Sequence, residues 1–194
     1  MKEYFLPALF ASAILLACLA CSDPAEFATF EAEASQPLPS CMADQFPLEL
    51  ELLAAQTRTD RVGIFLQTAP DIKSRSDIVY FELYHPEEVS VDDVIELSPA
   101  AVPPPMARGK LSFFSSCPYE HLAFDIFGTL NFDNFDHDHG GVISGRLEEG
   151  YAVDSRTEEV MIQEFTGSFS FIVRAGPPYE DFYALPERPQ PGDF

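Results

Sequence analysis

Along residues 122–133, Leu122, Phe124, Ile126, Leu130 and Phe132 fall on one face, while His121, Asp125, Thr129, Asn131 and Asp133 fall on the other. Successive strand side chains point to opposite sides, so this spacing predicts a strand with one buried and one wet face. A helix would scatter the same apolar set around its axis. Gly128 stands inside the run on the apolar side and points to a bulge or a close backbone approach. Phe165, Gly167, Phe169, Phe171 and Val173 repeat the pattern, with Thr166, Ser168 and Ser170 outward. Leu48, Leu50 and Leu52 alternate with Glu49 and Glu51, and Val62–Leu66 and Ile78–Leu83 are β-branched or aromatic runs.

Helical periodicity is poor over the same stretch. Its best candidate, Val91–Leu97, is short and acidic and stops at Ser98-Pro99. Short strands separated by Pro, Gly and Asp turns predict an all-β domain, an antiparallel sandwich or barrel of about seven to nine strands. The 18 Phe and absent Trp fit a core filled by medium aromatics. Pro99–Gly109, with three consecutive prolines, is too Pro-rich for a central strand and is expected to cross between sheets.

Composition enters through charge. With 32 Asp+Glu against 11 Lys+Arg, the chain carries −21 and repels nucleic-acid phosphates and anionic headgroups alike. Membrane contact therefore needs something other than a basic surface. The N-terminus offers it: Lys2 precedes an apolar stretch, Tyr4–Ala20, broken only by Pro7 and Ser12. That is the length of a signal-peptide apolar region.

The stretch ends in Leu15-Leu16-Ala17-Cys18, then Leu19-Ala20-Cys21. These residues resemble the lipobox of bacterial lipoproteins, with Leu at −3 and a small residue at −1. Cys18 fits with Leu15 and Ala17. Cys21 is the alternative, preceded by Ala20 and followed directly by polar Ser22-Asp23. The resemblance implies removal of residues 1–17 (or 1–20), thioether lipidation of the new N-terminal Cys, and acyl anchoring in a membrane. Because Leu19 or Ser22, not Asp, follows the candidate Cys, it also implies the outer membrane. Residues 18–40 then carry the lipid and a Pro-, Ala- and Glu-rich tether, although Phe27 and Phe30 would also suit an edge strand. The β domain is expected over 41–183 and a Pro-rich tail over 184–194.

Two cysteines remain, Cys41 and Cys117. In an exported chain an even pair is expected to form a disulfide, the alternative being two buried thiols.

Ligand-type side chains crowd together in one place: Asp133, Asp136, His137, Asp138 and His139, followed by Gly140-Gly141. Alternating carboxylates before a Gly suit Ca²⁺. An EF-type register fails, however, since Gly140 and Leu147 occupy ligand positions. His137 and His139 could hold Zn²⁺ or Cu²⁺ with a third ligand from His121 or His85. The alternative is a solvated hairpin loop with the glycines at its turn. No cofactor is otherwise implied. A carbohydrate-binding β-sandwich is a further reading, with Tyr80, Tyr84, Tyr119 and Tyr179 as candidate stacking platforms. Enzyme signatures are missing: Gly141-Val-Ile-Ser144-Gly145 places the Ser one position late for a nucleophile elbow, and there is no H-E-x-x-H, P-loop or dinucleotide fingerprint. The chain reads as a structural or binding module rather than an enzyme, with a protein or glycan partner and no nucleic acid.

Loose motifs over 110–182 support the same class. Gly141-x-x-x-Gly145-x-Leu147, Asp154-x-Arg156-Thr157 and Thr166-Gly167-x-Phe169-x-Phe171 resemble the closing strands of uncharacterised bacterial lipoprotein domains. Such domains often carry Gly after Arg-Thr, where this chain has Glu158.

Overall fold

The alternating run forms the strand on which the rest of the sheet is built. The computed structural model describes residues 26–34, 41–42, 45–70, 74–91, 93–99, 106–117, 122–176 and 179. Within them lie ten strands: β1 (Phe27–Ala34), β2 (Leu48–Glu49), β3 (Leu52–Thr57), β4 (Arg61–Gln67), β5 (Asp77–Tyr84), β6 (Val94–Leu97), β7 (Ala107–Phe113), β8 (Leu122–Phe135), β9 (Val142–Asp154) and β10 (Val160–Ile172). They make one sheet in the order β2-β1-β10-β9-β8-β6-β7-β5-β4-β3, curled into a half-barrel. The domain is all-β, as expected, with more strands than the seven to nine predicted.

Long strands β8, β9 and β10 form an antiparallel meander, and β1 returns to pair with β10. On the concave side Leu122, Phe124, Ile126, Leu130 and Phe132 are all buried. With them pack Phe30, Phe81, Phe113, Phe165, Phe169 and Phe171. Phe30 stacks on Phe165 at 5.4 Å between ring centroids, and Phe81 on Phe169 at 5.9 Å. Each fully buried Phe contributes about 1.5–3 kcal/mol by transfer from water, which makes this aromatic layer the main source of stability.

Gly128 sits where β8 changes partner. Residues 122–126 pair with β7, and 128–131 pair with β6. The register against β9 slips between Phe127 and Thr129, and Gly128 has φ 127. A Cβ there would lie 2.7 Å from Gly150 Cα and 2.9 Å from Glu148 O. The bulge and the close approach therefore coincide.

The weak helical candidate resolves as a strand, and two expectations need correction. Val94–Leu97, inside the best helical candidate, is a strand: Ile95 and Leu97 are buried while Val94 and Glu96 are exposed. The Pro-rich stretch Pro99–Gly109 is not wholly a connection, because Ala107–Gly109 already belong to β7 between β5 and β8; residues 100–105 lie outside the described residues. The chain also enters the sheet within the stretch read as tether. Phe27–Ala34 form β1, with Phe30 fully buried, and only two-residue β2 covers the strand's far side.

Cys41 and Cys117 are joined by a disulfide, with Cα atoms 5.3 Å apart. It ties the segment ahead of β2 to the turn after β7. Asp77 secures the same turn: its buried carboxylate accepts from the backbone N–H groups of Ser115 (2.9 Å) and Ser116 (3.1 Å) and from the Ser116 hydroxyl.

A cleft at the seam of the sheet

The candidate site lies where β3 and β10 come together without forming a ladder. The chain reaches this seam by changing partners. Leu50 N donates to Ala28 O on β1, and the next residue, Glu51, donates to Gln67 O on β4. Beyond that point, among the described residues, β3 has β4 on one side only. Its free edge faces Val173–Ala175 and the loop after β8, and between them opens a cleft of about 430 Å³. Small-ligand clefts span about 300–1,000 Å³.

The loop is held firmly. Asp136 N donates to Val142 O, Gly141 N to Asp138 O, and Asp138 N to the Asp136 carboxylate at 3.2 Å. Gly140 N donates to Val173 O and Val173 N to Gly141 O, both at 2.8 Å, which fastens the loop to the end of β10. Gly140 has φ 86, a conformation that a side chain would strain. From the β3 side, the Thr57 hydroxyl donates to His137 O at 3.1 Å.

The five candidate metal ligands share this loop and its neighbouring strand end but do not converge. The Asp133 carboxylate pairs with Arg146 at 2.6 Å on the outer face, and Asp136 is occupied by the turn. Among the described residues, only His85, Glu87 and Glu88, all exposed, bring three ligand atoms within 4.8 Å of one another. His121 lies outside the described residues, as do Cys18 and Cys21. His137, Asp138 and His139 instead line the cleft.

Gln56 is the residue that sequence reasoning missed. It is 8% exposed, its Nε2 donates to Tyr179 O at 3.2 Å, and its Oε1 is buried with no hydrogen-bond partner among the described residues. Reversing the amide would set oxygen against oxygen at Tyr179, so the orphan is an acceptor. Leaving such an atom buried costs about 1–3 kcal/mol. His137 Nδ1, on the same cleft, is likewise buried without a partner. The only sequence signal was a polar residue closing the apolar run Leu52-Leu53-Ala54-Ala55.

Charge and aromatic character complete the site. Arg58, Arg174, His137 and His139 gather here, two of the chain's 11 basic residues and two of its four His. Arg174 bonds Glu26 at 2.7 Å and the Tyr179 hydroxyl at 3.3 Å, and lies over the Tyr179 ring at 5.6 Å. Burial alone would lower the Arg174 pKa, but the bonds to Glu26 and Tyr179 outweigh it and hold the guanidinium above its usual value. Tyr179 also packs on Leu52 and Ala54, which explains why β3 is buried on both faces and does not alternate.

The other tyrosines are placed differently. Tyr80 packs against Phe65 at 4.6 Å, Tyr84 has Arg61 and Arg108 over its ring, and Tyr119 lies outside the described residues. A second cleft, of about 420 Å³, lies beside Tyr151, Glu149 and Glu164. No protein-family profile, curated protein or solved structure matches the chain.

Proposed function

We propose that this chain is an envelope lipoprotein whose acidic β domain is a binding module. In this reading residues 1–17 (or 1–20) are a removed signal peptide, Cys18 (or Cys21) carries the lipid, and the outer membrane holds the anchor. The observation that carries it is Leu15-Leu16-Ala17-Cys18 at the end of an apolar run, on a chain too acidic to reach a membrane by charge. Cys41–Cys117 adds support, because disulfides persist in oxidising compartments. So does the position of β1. Only eight residues lie between Cys18 and Phe27, so even a fully extended connection holds the start of the domain within about 30 Å of the lipid. The binding half of the reading rests on the seam cleft with its unpartnered Gln56.

Metabolic labelling with an alkyne-bearing palmitate tests the anchor. Label is expected in the full chain and in the Cys21→Ser variant, and is lost in Cys18→Ser; loss in Cys21→Ser alone moves the site to Cys21. A chain that takes up no label refutes the anchor.

A further inference from the structure

The seam cleft has a wall whose unmet bonding needs define the chemistry of its ligand. Gln56 Oε1 can only accept, and among the described residues it has no donor. His137 Nδ1 also has no partner, and the Asp138 side chain adds further acceptors to the rim. Arg174 and the His139 ring supply donors, while Ala55, Val173 and Tyr179 supply apolar surface.

These features exclude several ligand classes. An apolar molecule would leave Gln56 Oε1 and His137 Nδ1 unpaired. The charged oxygens of an anion carry no proton for Gln56 Oε1, and they would meet Asp138 and the Glu26 that pairs with Arg174. A metal ion needs converging ligand atoms, and among the described residues none converge here. A ligand bearing several hydroxyls satisfies every group: each hydroxyl both donates and accepts, and ring C–H faces suit the apolar wall.

We propose that the cleft between β3, the His137–His139 loop, Val173–Ala175 and Tyr179 is a saccharide site for one or two neutral sugar rings, with Gln56 accepting a ligand hydroxyl. The site deepens the binding half of the proposed function and is independent of the lipid anchor. Gln56 Oε1 and His137 Nδ1 are covered in this structure, so binding includes a rotamer change of the kind common at interfaces. Asp138 and Arg174 hold the ring by its outer hydroxyls, and Tyr179 limits the depth of entry.

The test is calorimetric titration of the detergent-solubilised full chain with maltose, cellobiose, lactose and di-N-acetylchitobiose, with glucuronate and inorganic phosphate for comparison. At least one neutral disaccharide is expected to bind saturably. Gln56→Leu is expected to weaken it about tenfold or more while the protein melts as a folded domain, because an apolar group of similar size removes an orphan acceptor. Exposed His139→Ala, which leaves the fold alone, is expected to weaken it several-fold, and Tyr151→Ala at the second cleft to leave it unchanged. No saturable binding by any neutral disaccharide overturns the proposal, as does binding confined to the anions. Binding that survives both Gln56→Leu and His139→Ala, or that is lost in Tyr151→Ala, also overturns it. Palmitate labelling is unaffected by all of these results, so failure of the saccharide site and failure of the lipoprotein reading are told apart.

Discussion

Leu50 and Glu51 are neighbours in the chain whose backbone N–H groups bond to strands from opposite ends of the sheet, Leu50 to Ala28 O at 3.0 Å and Glu51 to Gln67 O at 2.8 Å. This single step brings β1 and β4 together and curls the sheet. It also leaves the β3 edge open as the wall of the cleft.

Leu50→Pro removes the donor to Ala28 and is expected to destabilise the domain by about 1–3 kcal/mol in urea unfolding. Glu51→Ala keeps the backbone bond and changes an exposed side chain, so it should stay within about 0.5 kcal/mol of the parent. Equal effects of the two would show that the partner change is not a structural hinge of the fold.

The disulfide closes a separation of 76 residues. The Cys41→Ser/Cys117→Ser double variant, or the reduced protein, is expected to lose about 2–5 kcal/mol. Non-reducing peptide mapping of the purified protein should recover the Cys41–Cys117 pair; free thiols at both positions would contradict the pairing.

Gly128→Ala places a side chain on a backbone of positive φ and against Gly150. The expected cost is about 1–3 kcal/mol, read from thermal or urea unfolding. An unchanged midpoint would mean that the bulge relaxes freely.

Much of the sheet was legible because burial is one-sided. β8 has a core face and a solvent face, so its period shows in the residues, and Gly128 marked the bulge from inside the pattern. Expected export and an even cysteine count were enough to predict the disulfide. What stayed hidden depends on distant partners. β3 does not alternate because Tyr179 and Phe65 cover its second face. β6 is only four residues long, too short for its alternation of exposed Val94 and Glu96 with buried Ile95 and Leu97 to show against an acidic helical reading. Gln56 became a site residue through Tyr179, 123 positions away, a contact no local spacing encodes. The Asp/His loop was found, but its five candidate ligands do not converge, and three of them, His137, Asp138 and His139, line the cleft instead.

The β9–β10 turn carries a pH signature. Glu158 adopts φ 61, in the left-handed region, and Asp154 Oδ1 accepts from Arg156 N at 2.7 Å and Thr157 N at 3.2 Å. The turn is thus capped by Asp154; the Arg156 side chain is largely exposed, 3.5 Å from the Asp154 carboxylate. Burial pushes the Asp154 pKa up, but the bonds from Arg156 and Thr157 outweigh it and hold the carboxyl below its usual value. A folded pKa below the unfolded value of about 3.9 means that the stabilisation is present above that pH and is lost as pH falls through the folded value. Asp154→Ala should therefore cost about 1–3 kcal/mol at neutral pH, with the gap to the parent closing below about pH 4. A gap that does not depend on pH would contradict this assignment.

The central claim is a lipid-held β domain, and intact-mass analysis of the mature N-terminus tests it most directly. The account predicts a chain beginning at Cys18, or at Cys21, with a diacylglycerol thioether on that residue. A mature chain in which neither cysteine carries the adduct would contradict it.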